Sequence, residues 1–161
     1  MLLVLLFAAA AWGLGKALGV PARQRWYAVG GVWLAALLIN VLLPEAHPLR
    51  AATGLGAFPE EATRHALSNT LHAVWLRHEG TLIGMARLIG DGACFAQVTD
   101  VAVHPDHQGQ GHGHTLMTEL MRWADTHLPH AYISLIADPG AERLYAKHGF
   151  SSRTGMARPA R

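Results

Sequence analysis

Residues Val101 to Gly113 read V-A-V-H-P-D-H-Q-G-Q-G-H-G. Val101 and Val103 end an alternating apolar strand, Pro105 and Asp106 mark a turn, and glycine stands at 109, 111 and 113. A helical pattern starts at once. Glycine adopts backbone angles closed to other residues and lets another molecule approach the main chain. A strand that delivers such a loop into a helix N-terminus builds an anion site. The free N–H groups and the positive end of the helix dipole face the same point. The expected ligand is a phosphate or pyrophosphate.

The elements on either side follow from pattern and punctuation. Upstream, Leu49 to Leu55 closes a short helix, and Phe58-Pro59-Glu60-Glu61 starts another that reaches about Ser68. Strands are expected at His72 to Arg77, Thr81 to Ile89 and Cys94 to Val103, joined by turns at Glu79-Gly80 and Gly90-Asp91-Gly92. Three antiparallel strands therefore feed the loop. Downstream, Leu116, Met117, Leu120, Met121, Ala124 and Leu128 fall on one stripe, giving a helix from about His112 to His127. The methionines read as core. Tyr132 to Ala137 is apolar on both sides and is expected to be a central strand. Asp138-Pro139 offers an N-cap and Gly149 a stop, so a last helix is expected over Pro139 to His148.

Two strings now stand in order on the right elements. They are V-T-D-V-A-V-H-P-D-H-Q-G-Q-G-H-G and A-D-P-G-A-E-R-L-Y-A-K-H-G-F. Together they resemble the GNAT superfamily of acyl-CoA N-acyltransferases. The family's loop pattern Q/R-x-x-G-x-G/A is matched by Gln108, Gly111 and Gly113. Its later N-x-x-A-x-x-L-Y-x-x-x-G-F pattern falls on Asp138, Ala141, Leu144, Tyr145, Gly149 and Phe150, with aspartate where asparagine is common. The resemblance spans roughly Leu49 to Met156. It implies an α/β fold with a mixed, mostly antiparallel sheet flanked by helices, here preceded by two apolar helices.

It also implies an acetyl-CoA site. The pyrophosphate would sit on the amides of Gln108, Gly109, Gln110, Gly111, His112 and Gly113, with Asp138 and Tyr145 also at the cofactor. The pantetheine arm would run along Val101, Ala102 and Val103 like an extra strand. The family's splay between that strand and the one at Tyr132 would admit it. A backbone N–H there could polarise the thioester carbonyl. Tyr145 matches the position that returns a proton to the leaving thiolate. An amine acceptor must arrive neutral, and a lysine-like amine of pKa ~10.4 is mostly protonated at pH 7. Asp100 and His104 are the candidate acceptors of its proton, being two positions either side of Ala102 and nominally on one face. A bulge would change that facing. Asp100 could equally bond a neighbouring strand.

Composition bounds the alternatives. The chain has 161 residues, a net charge of +2 and one cysteine, Cys94, so neither nucleic acid nor an internal disulfide is indicated. His104, His107, His112 and His114 lack spaced acidic or cysteine partners, and no metal is expected. A dinucleotide oxidoreductase would need G-x-G-x-x-G opening a parallel unit, which the G-x-G-x-G spacing does not supply.

The first 44 residues differ. Met1 to Val20 is broken only by Lys16, and Tyr27 to Leu43 has no charge. Both runs are near the ~20 residues a helix needs to cross a bilayer, so residues 1–44 read as a transmembrane hairpin and 45–161 as the acyltransferase domain. The expected setting is a membrane with the catalytic domain in the cytoplasm, although Lys16, Arg23 and Arg25 argue for the opposite orientation. These runs occupy the place of the family's first strand and much of its first helix. An amine-bearing small molecule or peptide is the expected partner, and a homodimer is open. The rival reading is a membrane-anchored binding or structural protein with an inactive domain.

Overall fold

The computed structural model describes residues 45–56 and 58–158. The two apolar runs lie outside them. Among the described residues no helix is long and apolar enough to cross a membrane.

The chain enters through helix α1, residues 45–52, and turns into α2, Glu60–Ser68. Strands β1 (His72–His78), β2 (Thr81–Gly90) and β3 (Phe95–Val103) follow. A short 3-10 turn, Pro105–His107, leads into α3, His112–His127. β4 (Tyr132–Leu135) and α4 (Glu142–Ala146) complete the order. The sheet runs β1-β2-β3-β4, antiparallel except for the parallel β3–β4 pair. The mixed, mostly antiparallel sheet read from sequence is thus observed.

Each face of the sheet has its own core. On one face α3 lays down Leu116, Met117, Leu120 and Ala124 against Ala86, Leu88, Ala96 and Val98. Leu116, Met117 and Leu120 are fully buried, each stabilising the fold by roughly 1.5–3 kcal/mol. On the other face Ala46 and Leu49 of α1 meet Leu82, Met85 and Ala102.

β3 changes sides part-way. Arg87 pairs with Thr99 and Met85 with Ala102, so Ala86 alone opposes both Asp100 and Val101. That two-against-one arrangement is a β-bulge. Asp100 takes it up with φ +52°, a left-handed conformation that aspartate tolerates better than most side chains. Before the bulge Ala96 and Val98 pack toward α3, and after it Val101 and Val103 do. Asp100 is released to the opposite face, alongside Ala102.

Two expectations need correction. β4 is an edge strand, not a central one, and it is shorter than expected. Tyr132 and Ile136 are 58% and 73% exposed, so apolar side chains on both sides reflected an open edge. The last helix spans Glu142–Ala146, not Pro139 to His148. The Asp138 carbonyl accepts the Ala141 amide across a turn in which Gly140 has φ +91°, and a right-handed helix cannot run through that residue. Asp138 is therefore not the N-cap. Gly149, at φ +84°, does end the segment.

Candidate active site

The loop at 104–113 is built by its own side chains. The His104 ring Nδ1 accepts the Asp106 amide at 3.4 Å, starting the 3-10 turn. Gln108 folds back so that its Nε2 donates to the Val103 carbonyl at 2.9 Å, tying the loop to the end of β3. Gly109 and Gly111 then take φ +75° and +85°, and Gly111 is the N-cap of α3. Nothing lies within 4 Å of where a Cβ would stand at either residue. The space in front of the loop is open, and left-handed backbone makes glycine the fitting residue.

The loop amides are left over. Among the described residues, no amide from Gly109 to His114 donates to a backbone or side-chain acceptor outside its helix, and the first such bond is Thr115 N–H to the Gly111 carbonyl. α3 has no side-chain cap and no acidic residue in its first turn. A run of unpaired N–H groups at the positive end of a sixteen-residue helix is an anion cradle. Gly113 packs on Leu144, which holds α4 against this end of α3.

The splay lies beside the cradle. β4 pairs with β3 from Phe95↔Tyr132 to Val98↔Leu135 and no further. Among the described residues, β3 pairs from Thr99 to Val103 only with β2, which leaves its other edge unpaired there where Val101, Ala102 and Val103 run toward the loop. Bulge and splay coincide: the strand that kinks at Asp100 parts from its parallel neighbour one residue earlier.

A model of the acetyltransferase (GNAT) family matches residues 42–150. This chain belongs to the GNAT acetyltransferase family. A probable acetyltransferase of unknown function, SA2161 from meticillin-resistant Staphylococcus aureus, shares its fold with TM-score 0.68 and 35% identity, over 73% of this chain and 92% of that one. The GNAT protein SP0256 from Streptococcus pneumoniae follows at TM-score 0.61 and 28% identity, over 74% of this chain and 91% of that one. Among curated relatives, an uncharacterized ycf52-like N-acetyltransferase of Prochlorococcus marinus is 35% identical over 68% of this chain. The match spans 62% of that relative's length, and 52% of the ycf52 protein of Gracilaria tenuistipitata, which is 34% identical over 57% of this chain.

Within this GNAT domain the expected residues separate into those at the splay and those elsewhere. Gln108 to Gly113 and Val101 to Val103 adjoin one another. Tyr145, on α4, is buried and sits edge-on to Phe150. Burial and then the nearby Asp138 carboxylate push its hydroxyl pKa above the usual tyrosine value, so the phenol stays protonated at neutral pH. Tyr145 also lines a cleft of about 700 Å³ between β4 and residues 150–157, which contains none of the loop. That cleft runs along the outer edge of β4.

Neither candidate base stands free. The Asp100 carboxylate is shared between two guanidiniums, Arg50 Nη1 on Oδ1 and Arg87 Nε on Oδ2, the latter at 2.7 Å. His104 spends Nδ1 as an acceptor within its own turn, so the neutral ring carries its proton on Nε2. Among the described residues no group of histidine, cysteine, aspartate or glutamate side chains could hold a metal.

Arg50 and Arg87, the partners of Asp100, are the residues of this site that reading the sequence missed. Arg87 had a signal: it is the lone charge in L-I-G-M-A-R-L-I, a strand buried from Leu82 to Leu88. A charge in such a run is retained only with a partner.

Proposed function

We propose that this GNAT domain transfers the acetyl group of acetyl-CoA to a primary amine by direct attack at the splay between β3 and β4. The observation that carries the reading is the unbroken run of amides from Gly109 to His114 with no partner among the described residues, set at the end of the strand whose pairing with β4 has ceased. Glycines with open space in front of them suit a diphosphate.

Acetyl-CoA supplies an activated acyl carbon. The loop amides hold its diphosphate, and the free edge of Val101 to Val103 pairs with its amide arm. The amine nitrogen forms a bond to the thioester carbon, the C–S bond breaks, and the Tyr145 hydroxyl returns a proton to the sulfur. Tyr145 recovers that proton from solvent. With Asp100 bound by two arginines, the amine's own proton leaves to water at the open splay. Asp100 positions the bulge; it is not the base.

Two measurements test this. Acetyl-CoA should raise the melting temperature saturably, as a ligand of the native state must. Thiol release should then depend on an added amine. No thermal shift at millimolar acetyl-CoA overturns the reading.

A further inference from the structure

The pocket on the far side of the bulge holds a positive charge that the acyl donor does not use. It has a volume of about 60 Å³ and is walled by Arg50, Phe58, Thr63, Met85, Arg87 and Asp100. Two guanidiniums face one carboxylate there. Their side chains are 6% and 10% exposed, and that of Asp100 is 13% exposed. Glu60 and Glu61 do not balance the charge, because both are exposed and Glu60 pairs with Arg64.

Arg50 is fully engaged. It donates to the carbonyls of Gly56 and Leu55 and to Asp100, and its guanidinium lies 4.9 Å from the centre of the Phe58 ring. Arg87 is not. Its Nε donates to Asp100 and its Nη1 to the Thr70 hydroxyl at 2.8 Å, while Nη2 has no hydrogen bond among the described residues. That nitrogen is not sealed from solvent, so an anion entering the pocket can reach it and make a charge-assisted hydrogen bond.

We infer that this pocket receives the carboxylate of the acceptor, and that the acceptor is an amino acid or a compound like one. The charge count favours a carboxylate: a single negative charge neutralises the surplus, whereas a phosphate dianion would overshoot it. The volume suits a carboxylate-sized group, not a whole metabolite, so the rest of the acceptor extends out of the pocket. Asp100, which Arg87 grips, is the chain neighbour of Val101, about 3.8 Å away between Cα atoms. Arg87 stands on β2, one strand spacing of about 4.8 Å from β3, whose far edge borders the splay, so an amine several bonds from a carboxylate on Arg87 can reach it. This inference rests on transfer taking place there.

The test compares N-acetyl amino acids with their carboxamides, which match in size but carry no charge and replace one acceptor oxygen with a donor, by calorimetric titration of the full chain. The acids should bind at least tenfold more tightly. Arg87→Met should abolish that preference while the thermal shift with acetyl-CoA persists. Arg87→Lys, which keeps the charge but not the fork, should reduce it. Equal affinity of acid and amide for the wild-type chain overturns the inference, as does an undiminished acid preference in the lysine variant. The two readings fail separately. Acid-selective binding without thiol release from any amine sinks the transfer and leaves the carboxylate site. Thiol release at equal kcat/KM from amino acids and their amides does the reverse.

Discussion

Arg87 and Asp100, thirteen residues apart, meet across the β2–β3 ladder at the point where its register slips, with Arg87 Nε donating to Asp100 Oδ2 at 2.7 Å. The pair joins the kink in β3 to a buried cation on β2, and Arg50 brings α1 to the same carboxylate.

Asp100→Asn should therefore destabilise the domain strongly. It leaves two buried guanidiniums facing a neutral amide, and breaking a buried pair by removing one partner costs about 3–5 kcal/mol. Urea denaturation measures the loss. A change below about 1 kcal/mol, the scale of an exposed pair, would show that the carboxylate is not holding the bulge.

Gly111→Val should remove the acetyl-CoA thermal shift. The cost arises in the backbone, since nothing stands within 4 Å of the new Cβ and φ is +85°. A left-handed conformation costs about 1–2 kcal/mol for a residue with a side chain, more for a β-branched one, so the loop relaxes and its amides turn away. Unchanged affinity for acetyl-CoA would remove the loop from the donor site.

Tyr145→Phe should lower kcat by about 100-fold, the lower end of what a positioned acid contributes, with little change in acetyl-CoA affinity. Since the hydroxyl pKa is raised, the wild-type enzyme should show no loss from Tyr145 ionisation until above pH 10.0. Wild-type turnover in the variant would strip Tyr145 of this role.

The engagement of both candidate bases, Asp100 and His104, predicts a particular pH profile. With the amine losing its proton to water, log kcat/KM should rise with slope one from pH 7 toward the acceptor's own pKa. A profile that levels off well below the acceptor's own pKa, and that His104→Gln abolishes, would instead make His104 the base.

Stability should weaken in mild acid. His72 stacks on Trp123 with ring centres 4.6 Å apart, and burial, then the charges of His127 and Arg122, lower its pKa from 6.5. A lowered folded-state value means the unfolded chain takes up the proton first. The contribution is whole above pH 6.5 and is lost as pH falls through the folded-state value. His72→Gln should flatten the urea midpoint between pH 7 and 5, and an unaltered slope would count against this.

Much of this was legible in the chain itself. The α3 stripe, the hairpin at Glu79-Gly80 and the glycine loop are local patterns, and each appeared within a residue or two of its expected place. β4 misled because an apolar run cannot say whether its second face meets a neighbour or an open edge. The helix after Asp138 began late because Gly140, not the aspartate and proline before it, set the backbone. Asp100 was readable as a candidate but not as a partner of Arg50 and Arg87, since that contact depends on a bulge joining residues 13 and 50 positions apart.

The bulge also fixes how the chain can vary in length. Asp100 is the extra residue of β3, so removing it would leave Thr99, Val101 and Ala102 in plain alternation, with Val101 opposite Ala86 and still under α3. The apolar packing on that face would survive the deletion. The other face would not, because Arg50 and Arg87 would lose the carboxylate they share. Shortening β3 by one residue therefore costs the charge pairing alone, and trimming the turn at Glu79-Gly80 touches neither face.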